Sequence, residues 1–254
     1  MNSTRHVISA AIATVALIFL SNILYFNSVY SQIGNLSNNP LLNLSSLVTS
    51  LVKPISGIYD NPSLGYRIEL PPGWNGTEMN VLTQMVIAAP ADSSSLFKNG
   101  LNPSGVEKNH TMMTIIGIDK KAFDTLKNIA QSMMSGANMS SMTNMFDQYK
   151  KDAKCDKTVA PVVINGATGQ QISYECQGPV FAGKIRAYAF ATKDDSLIQV
   201  SFFGSSNSGF DKYLPQFEDS IKTLKISNPI DIQSSQIFQE YQKFAGLDNQ
   251  TTGN

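Results

Sequence analysis

Tryptophan occurs once in this sequence, and cysteine and histidine twice each. Each scarcity narrows the chemistry on offer. His6 precedes an apolar run at the N-terminus, which leaves His110 as the one imidazole in the rest of the chain. Base-assisted nucleophilic catalysis would fall on it alone, yet it sits in "NHT" at the edge between a loop and a strand, where it reads as an exposed polar residue. Neither charge is in excess: 19 Lys and Arg balance 19 Asp and Glu, so no basic field points to a nucleic-acid partner. Gly-x-Ser-x-Gly, Gly-x-Gly-x-x-Gly, P-loop and His-Glu-x-x-His sequences are all missing, as is an Asp-x-Asp-x-Asp-Gly calcium loop. Asp194-Asp195 and Glu218-Asp219 read as a turn and a solvated helix face. The expectation is a protein without catalytic activity and without a cofactor.

Long hydrophobic runs are confined to the start of the chain. Arg5 precedes "VISAAIATVALIFL" (7–20), and "ILYF" follows shortly after. A basic residue before an apolar run of this length matches a secretory signal, with Val29-Tyr30-Ser31 as a small-residue cleavage site. Uncut, residues 7–26 are just long enough to anchor the chain in a membrane. The reading is therefore of residues 1–31 as signal peptide or membrane anchor, and of a protein secreted or held at the outer face of the cytoplasmic membrane. Asn-x-Ser/Thr acceptors at Asn35, Asn43, Asn75, Asn109, Asn138 and Asn249 are compatible with export and N-glycosylation.

The two cysteines close "CDKTVAPVVINGATGQQISYEC" (155–176). Asn165-Gly166 between β-branched stretches is the favoured two-residue hairpin turn. Centred there, the hairpin sets Ile164 against Ala167, Val159 against Ile172 and Cys155 against Cys176. The last is a non-hydrogen-bonded pair, close enough for a disulfide. Two free buried thiols are the alternative.

The whole chain, 254 residues and 42% hydrophobic, is enough for one core-bearing domain with extensions. Residues 32–57 read as a linker, in which Leu44, Leu47, Val48 and Leu51 stand at helical spacing. A domain over 58–227 follows, then a tail over 228–254 in which Ile237, Tyr241 and Phe244 suit one short docking helix. "YRIEL" alternates as a half-buried strand that Pro71-Pro72 must end. "VLTQMVIAA" (81–89) and "TMMTIIGI" (111–118) read as strands, with a long loop at 90–110 between them. Residues 121–150 switch to helical spacing, interrupted at Gly136. After the hairpin come "KIRAYAFAT" (184–192) and "SLIQVSFFG", then the helical "FDKYLPQFEDSIKTLKI", where Pro215 suits the first turn. Strands in runs favour an antiparallel sheet in an α+β domain.

Methionine is the one residue type that clusters, at Met112, Met113, Met133, Met134, Met139, Met142 and Met145. Thioethers beside an imidazole suit copper(I), which makes His110, Met139, Met142 and Met145 a candidate ligand set. Methionine also fills gaps in cores and adaptable contact surfaces.

"YDNPSLGYRIELPPGW" resembles the opening of PsbP-like domains, in which a Gly-aromatic-x-Ile strand runs into Pro-x-x-Trp. "VVINGATGQQISYEC" is similar to their mid-domain hairpin, and "FDKYLPQFEDSIKTLKI" to their closing helix. Leu70 stands where the family usually has an aromatic residue, and the Met-rich helix is a further departure. The resemblance implies an α/β/α sandwich around a central antiparallel sheet, with Tyr66 and Trp74 as marks of the fold. It also implies an exported, non-enzymatic role. Plant and cyanobacterial members assist or stabilise photosystem II, a role that nothing in this chain points to. The function expected is a binding or assembly module at the outer face of the cytoplasmic membrane, with a protein or small-molecule partner. A copper(I) metallochaperone is the alternative.

Overall fold

A computed structural model of the chain describes residues 52–80, 84–91, 111–135, 154–177, 183–204 and 207–244. The larger of its two sheets starts at β1 (Val52–Ile55) and runs through β4 (Trp74–Asn80), β5 (Gln84–Pro90) and β6 (Thr111–Ile118). It continues through β10 (Leu197–Gly204), β9 (Gly183–Thr192) and β8 (Ala167–Gln177) to β7 (Lys154–Ile164). The short β12 (Pro229–Ile230) pairs with the end of β9. The smaller sheet orders β11 (Lys225–Ile226), β3 (Tyr66–Glu69) and β2 (Ile58–Asn61). Every one of these pairings is antiparallel.

The central strands are apolar on both sides because both sides are covered. Ile198, Val200 and Phe202 of β10 join Val86, Ala88, Met113, Ile115, Tyr188 and Phe190 on one face. Helix α2 (Asn207–Lys222) buries Phe210, Phe217 and Ile221 against that face, and the small sheet adds Tyr59, Tyr66 and Ile68. Phe202 stacks on Phe217 with ring centroids 4.9 Å apart. On the opposite face Ala189, Ala191 and Leu197 meet Phe123 of α1 (Lys120–Ser135) and Ile237 and Phe238 of α3 (Gln236–Phe244). The chain is thus a predominantly antiparallel sheet with a few helices. Among the described residues no helix is long and apolar enough to cross a membrane.

The hairpin has the register read from Asn165-Gly166. Both residues take left-handed backbone, with φ of 49° and 82°, as a tight primed turn requires. Ile164 faces Ala167, Val159 faces Ile172, and Cys155 stands opposite Cys176. No cysteine among the described residues is free.

Other expectations need correction. The ordered unit reaches past 58–227 at both ends. Val52–Ile55 pairs with β4 inside the stretch read as linker, where Lys53 and Pro54 are edge-strand residues that mimic a linker composition. At the other end Ile232, Ile237 and Phe238 are buried in the core, so the tail begins later than residue 228. Beyond Pro71-Pro72 the chain resumes as strand β4 from Trp74, which is not expected because "WNGTEMN" lacks the alternation that marks a strand. Pro215 lies well inside α2 rather than in its first turn. It and Asp211 are exposed, so water can replace the hydrogen bond that proline cannot make. Helix α1 ends at Ser135, and residues 136–150 of the expected helix lie outside the described residues.

Candidate functional site

Trp74 is a core residue. Gly73 at φ 77° turns the chain after Pro71-Pro72, and the Trp74 amide donates to the Pro71 carbonyl at 3.0 Å. The indole is 3% exposed, tilted against Phe202 and edge-on to Tyr213 at 5.8 Å between centroids. Its Nε1 donates to Gln216 Oε1 at 2.9 Å. No face of the ring is left for a ligand.

Tyr66 is the other expected mark of the fold, and it belongs to a buried polar cluster between the two sheets. The Tyr59 hydroxyl donates to Glu78 Oε1 at 2.9 Å. Asn61 Nδ2 donates to the hydroxyls of Tyr59 and Tyr66 and to Gln84 Oε1. Burial, reinforced by the Glu78 carboxylate, pushes the Tyr59 phenol up to about 12. Burial likewise raises Tyr66, with Tyr59 adding to the effect. Both phenols stay neutral donors at any physiological pH, which suits a structural stitch better than proton transfer.

Above this cluster opens the candidate site, a groove of about 420 Å³. One wall is the β2–β3 turn, Pro62 to Gly65, which the Asn61 side chain holds by accepting from the Leu64 amide at 3.1 Å and the Ser63 hydroxyl at 2.8 Å. Ser227 and Asn228 form another wall, tied down by the Ser227 amide donating to the Gly65 carbonyl at 2.7 Å. Asp194 of the β9–β10 turn closes it, and the neighbouring Lys193 amide donates to the Asn228 carbonyl at 3.0 Å. The pleat of the small sheet sends Tyr59, Asn61, Tyr66 and Ile68 inward and Asp60 and Arg67 outward. Arg67 stands directly opposite Asp60 on one side and Lys225 on the other. Asp60, Arg67, Lys225 and Asp194 all line the groove, and among the described residues none of them forms an ion pair.

The groove collects charges that reading along the chain does not. Asp194 reads as a turn residue and Arg67 as the polar half of an alternating strand. Only the "DNPSLG" turn signal is local. The pairing of Arg67 with Lys225 depends on α2 returning the chain beside β3. Of the remaining expected site residues, Asn75 is exposed on β4. His110, Met139, Met142 and Met145 lie outside the described residues, as do Asn35, Asn43, Asn109, Asn138 and Asn249 and the whole of 1–31. Among the described residues no group of three or more His, Cys, Asp and Glu side chains is placed to hold a metal ion.

No family model matches the chain, and no curated protein matches it. Solved structures with some likeness exist. A cyanobacterial PsbP from Synechocystis is 12% identical, with 69% of this chain and 92% of that one covered and a TM-score of 0.38. A protein of unknown function from Pseudomonas aeruginosa is 10% identical, with 68% and 97% covered and a TM-score of 0.33. Neither likeness bears on function.

Proposed function

We propose that this protein is an exported, non-enzymatic binding or assembly module of PsbP-like, α/β/α-sandwich type, working at the outer face of the cytoplasmic membrane. One observation carries the binding role. Four charged side chains line a groove whose walls are fixed by backbone hydrogen bonds, and among the described residues no ion pair engages any of them. Charged groups on a surface normally find partners or disperse; concentrated and uncommitted in a concavity, they suit recognition of a partner. Helices on both faces of an antiparallel sheet support the sandwich reading, and the order of motifs from "GYRIELPPGW" to "SIKTLKI" supports the PsbP-like one. The apolar N-terminal run supports export, and so do two opposed cysteines able to bond in an oxidising compartment.

Two measurements test this. A reporter active only outside the cytoplasm, fused after residue 31, should be active in cells; an inactive fusion removes the location. Tagged protein recovered from solubilised membranes should retain a partner that the Arg67→Glu/Lys225→Glu variant loses. Identical recovery by both proteins would remove the groove from the function.

A further inference from the structure

Resting on the binding-module reading, we propose that the groove takes a small zwitterion, its anionic phosphate or carboxylate held between Arg67 and Lys225. The ligand's ammonium faces the carboxylates of Asp60 and Asp194, which line the same groove.

Like charges directly opposite on neighbouring strands repel, and folds commonly relieve them with an acid in ion-pair contact. Arg67 and Lys225 are such a pair. Asp60 is cross-strand neighbour to Arg67 yet makes no ion pair with it. The repulsion is therefore left standing in the lining of a concavity. An oxyanion placed there accepts from the guanidinium and the ammonium together. The Ser227 hydroxyl lines the same groove and has no hydrogen-bond partner among the described residues, so it can donate as well.

The acids decide against a simple anion or a polyanion. Asp60 and Asp194 line the same groove as the two bases, so its formal charge cancels. A chain of phosphates would meet repulsion from both carboxylates. A ligand carrying an ammonium a short distance from its oxyanion meets all four charges with the matching sign. Free amino compounds and exposed lipid headgroups share that chemistry.

The test titrates the full chain, by calorimetry or by shifts in backbone amide resonances, with O-phosphoethanolamine, glycylglycine and vesicles containing phosphatidylethanolamine. Inorganic phosphate and ethanolamine serve as half-ligands. At least one zwitterionic probe should bind saturably and about tenfold more tightly than either half. Arg67→Gln, Lys225→Gln and Asp194→Asn should each weaken it by about tenfold while Trp74 emission reports an intact fold. Binding to vesicles alone identifies a lipid headgroup, and binding of the free probes a soluble ligand. Phosphate binding as tightly as the zwitterions, binding indifferent to the variants, or no binding at millimolar probe would each overturn the proposal. If partner recovery from membranes still depends on Arg67 and Lys225 when no probe binds, the zwitterion falls and the binding-module reading stands.

Discussion

Trp74 Nε1 donates to Gln216 Oε1 at 2.9 Å, which ties the first residue of β4 to the solvent side of α2. The bond fixes the indole's polar edge while its rings fill the space between Phe202 and Tyr213. Replacing Trp74 with Ala is expected to cost about 3–5 kcal/mol, as deletion of a large buried aromatic does. Trp74→Phe keeps most of the apolar contact and forfeits one hydrogen bond, worth about 1 kcal/mol. Urea denaturation followed by far-UV circular dichroism separates the two. A Trp74→Ala protein that melts like the parent would show that the indole does not support the core.

Asn165 has two roles at one position. Its backbone holds φ at 49° in the hairpin turn, and its Nδ2 donates to the carbonyls of Lys222 and Leu224, each at 2.8 Å. The Lys222 carbonyl is in the last turn of α2, where helix geometry leaves it without an amide partner, and Leu224 lies just beyond the helix end. Asn165→Gly keeps the left-handed turn and loses both bonds, with an expected cost of about 1–2 kcal/mol given their partial exposure. Asn165→Ala adds the left-handed penalty, roughly 1 kcal/mol more. Equal melting of all three proteins would mean that water caps the helix equally well.

That second role shows where sequence reading stops. "NG" between β-branched runs is a local signal, and the hairpin register follows from it because side-chain period and turn geometry are both short-range. The alternation in "YRIEL" and the helical spacing of Phe210, Phe217 and Ile221 are legible for the same reason. What Asn165 bonds to is not, because α2 arrives from elsewhere in the chain. Asp195 is similar: it reads as a turn residue, with φ of 53°, yet its carboxylate accepts from the Ser235 hydroxyl and the Ile237 amide at the start of α3. The groove is the extreme case, since Asp194 and Lys225 join the locally paired Asp60 and Arg67 only after both sheets have formed.

Cys155 and Cys176 oppose each other at a non-hydrogen-bonded position of the hairpin, where the backbones approach most closely. Oxidised, the pair closes a loop whose entropy loss in the unfolded chain is worth about 3 kcal/mol. Protein isolated without reductant should therefore show no alkylatable thiol after unfolding in denaturant. Added reductant, or the Cys155→Ala/Cys176→Ala variant, should lower the urea midpoint accordingly. Two alkylated cysteines in unreduced protein would show the thiols to be free.

Alkaline stability should depend on the cluster beneath the groove. Burial first, and then the hydrogen bond and charge of Glu78, raise the Tyr59 phenol from 10.0 to about 12. The phenol of Tyr188 is also raised, by burial and then by its hydrogen bond to Glu218 Oε2 at 2.6 Å. A raised acid favours the fold in full while both states stay protonated and progressively less once the unfolded chain ionises. Tyr59's contribution is thus complete below pH 10.0 and disappears as the pH climbs through about 12, where the folded form ionises as well. The window spans roughly 2–3 kcal/mol for this one phenol. Urea midpoints measured across that window should fall steeply for the parent protein and less steeply for Tyr59→Phe, which has no phenol to ionise there. The difference between the two curves isolates Tyr59 from the lysines that lose their charge over the same range. Parallel curves would mean that Tyr59 titrates in the folded protein as it does in the open chain, and that its bond to Glu78 adds nothing to the fold.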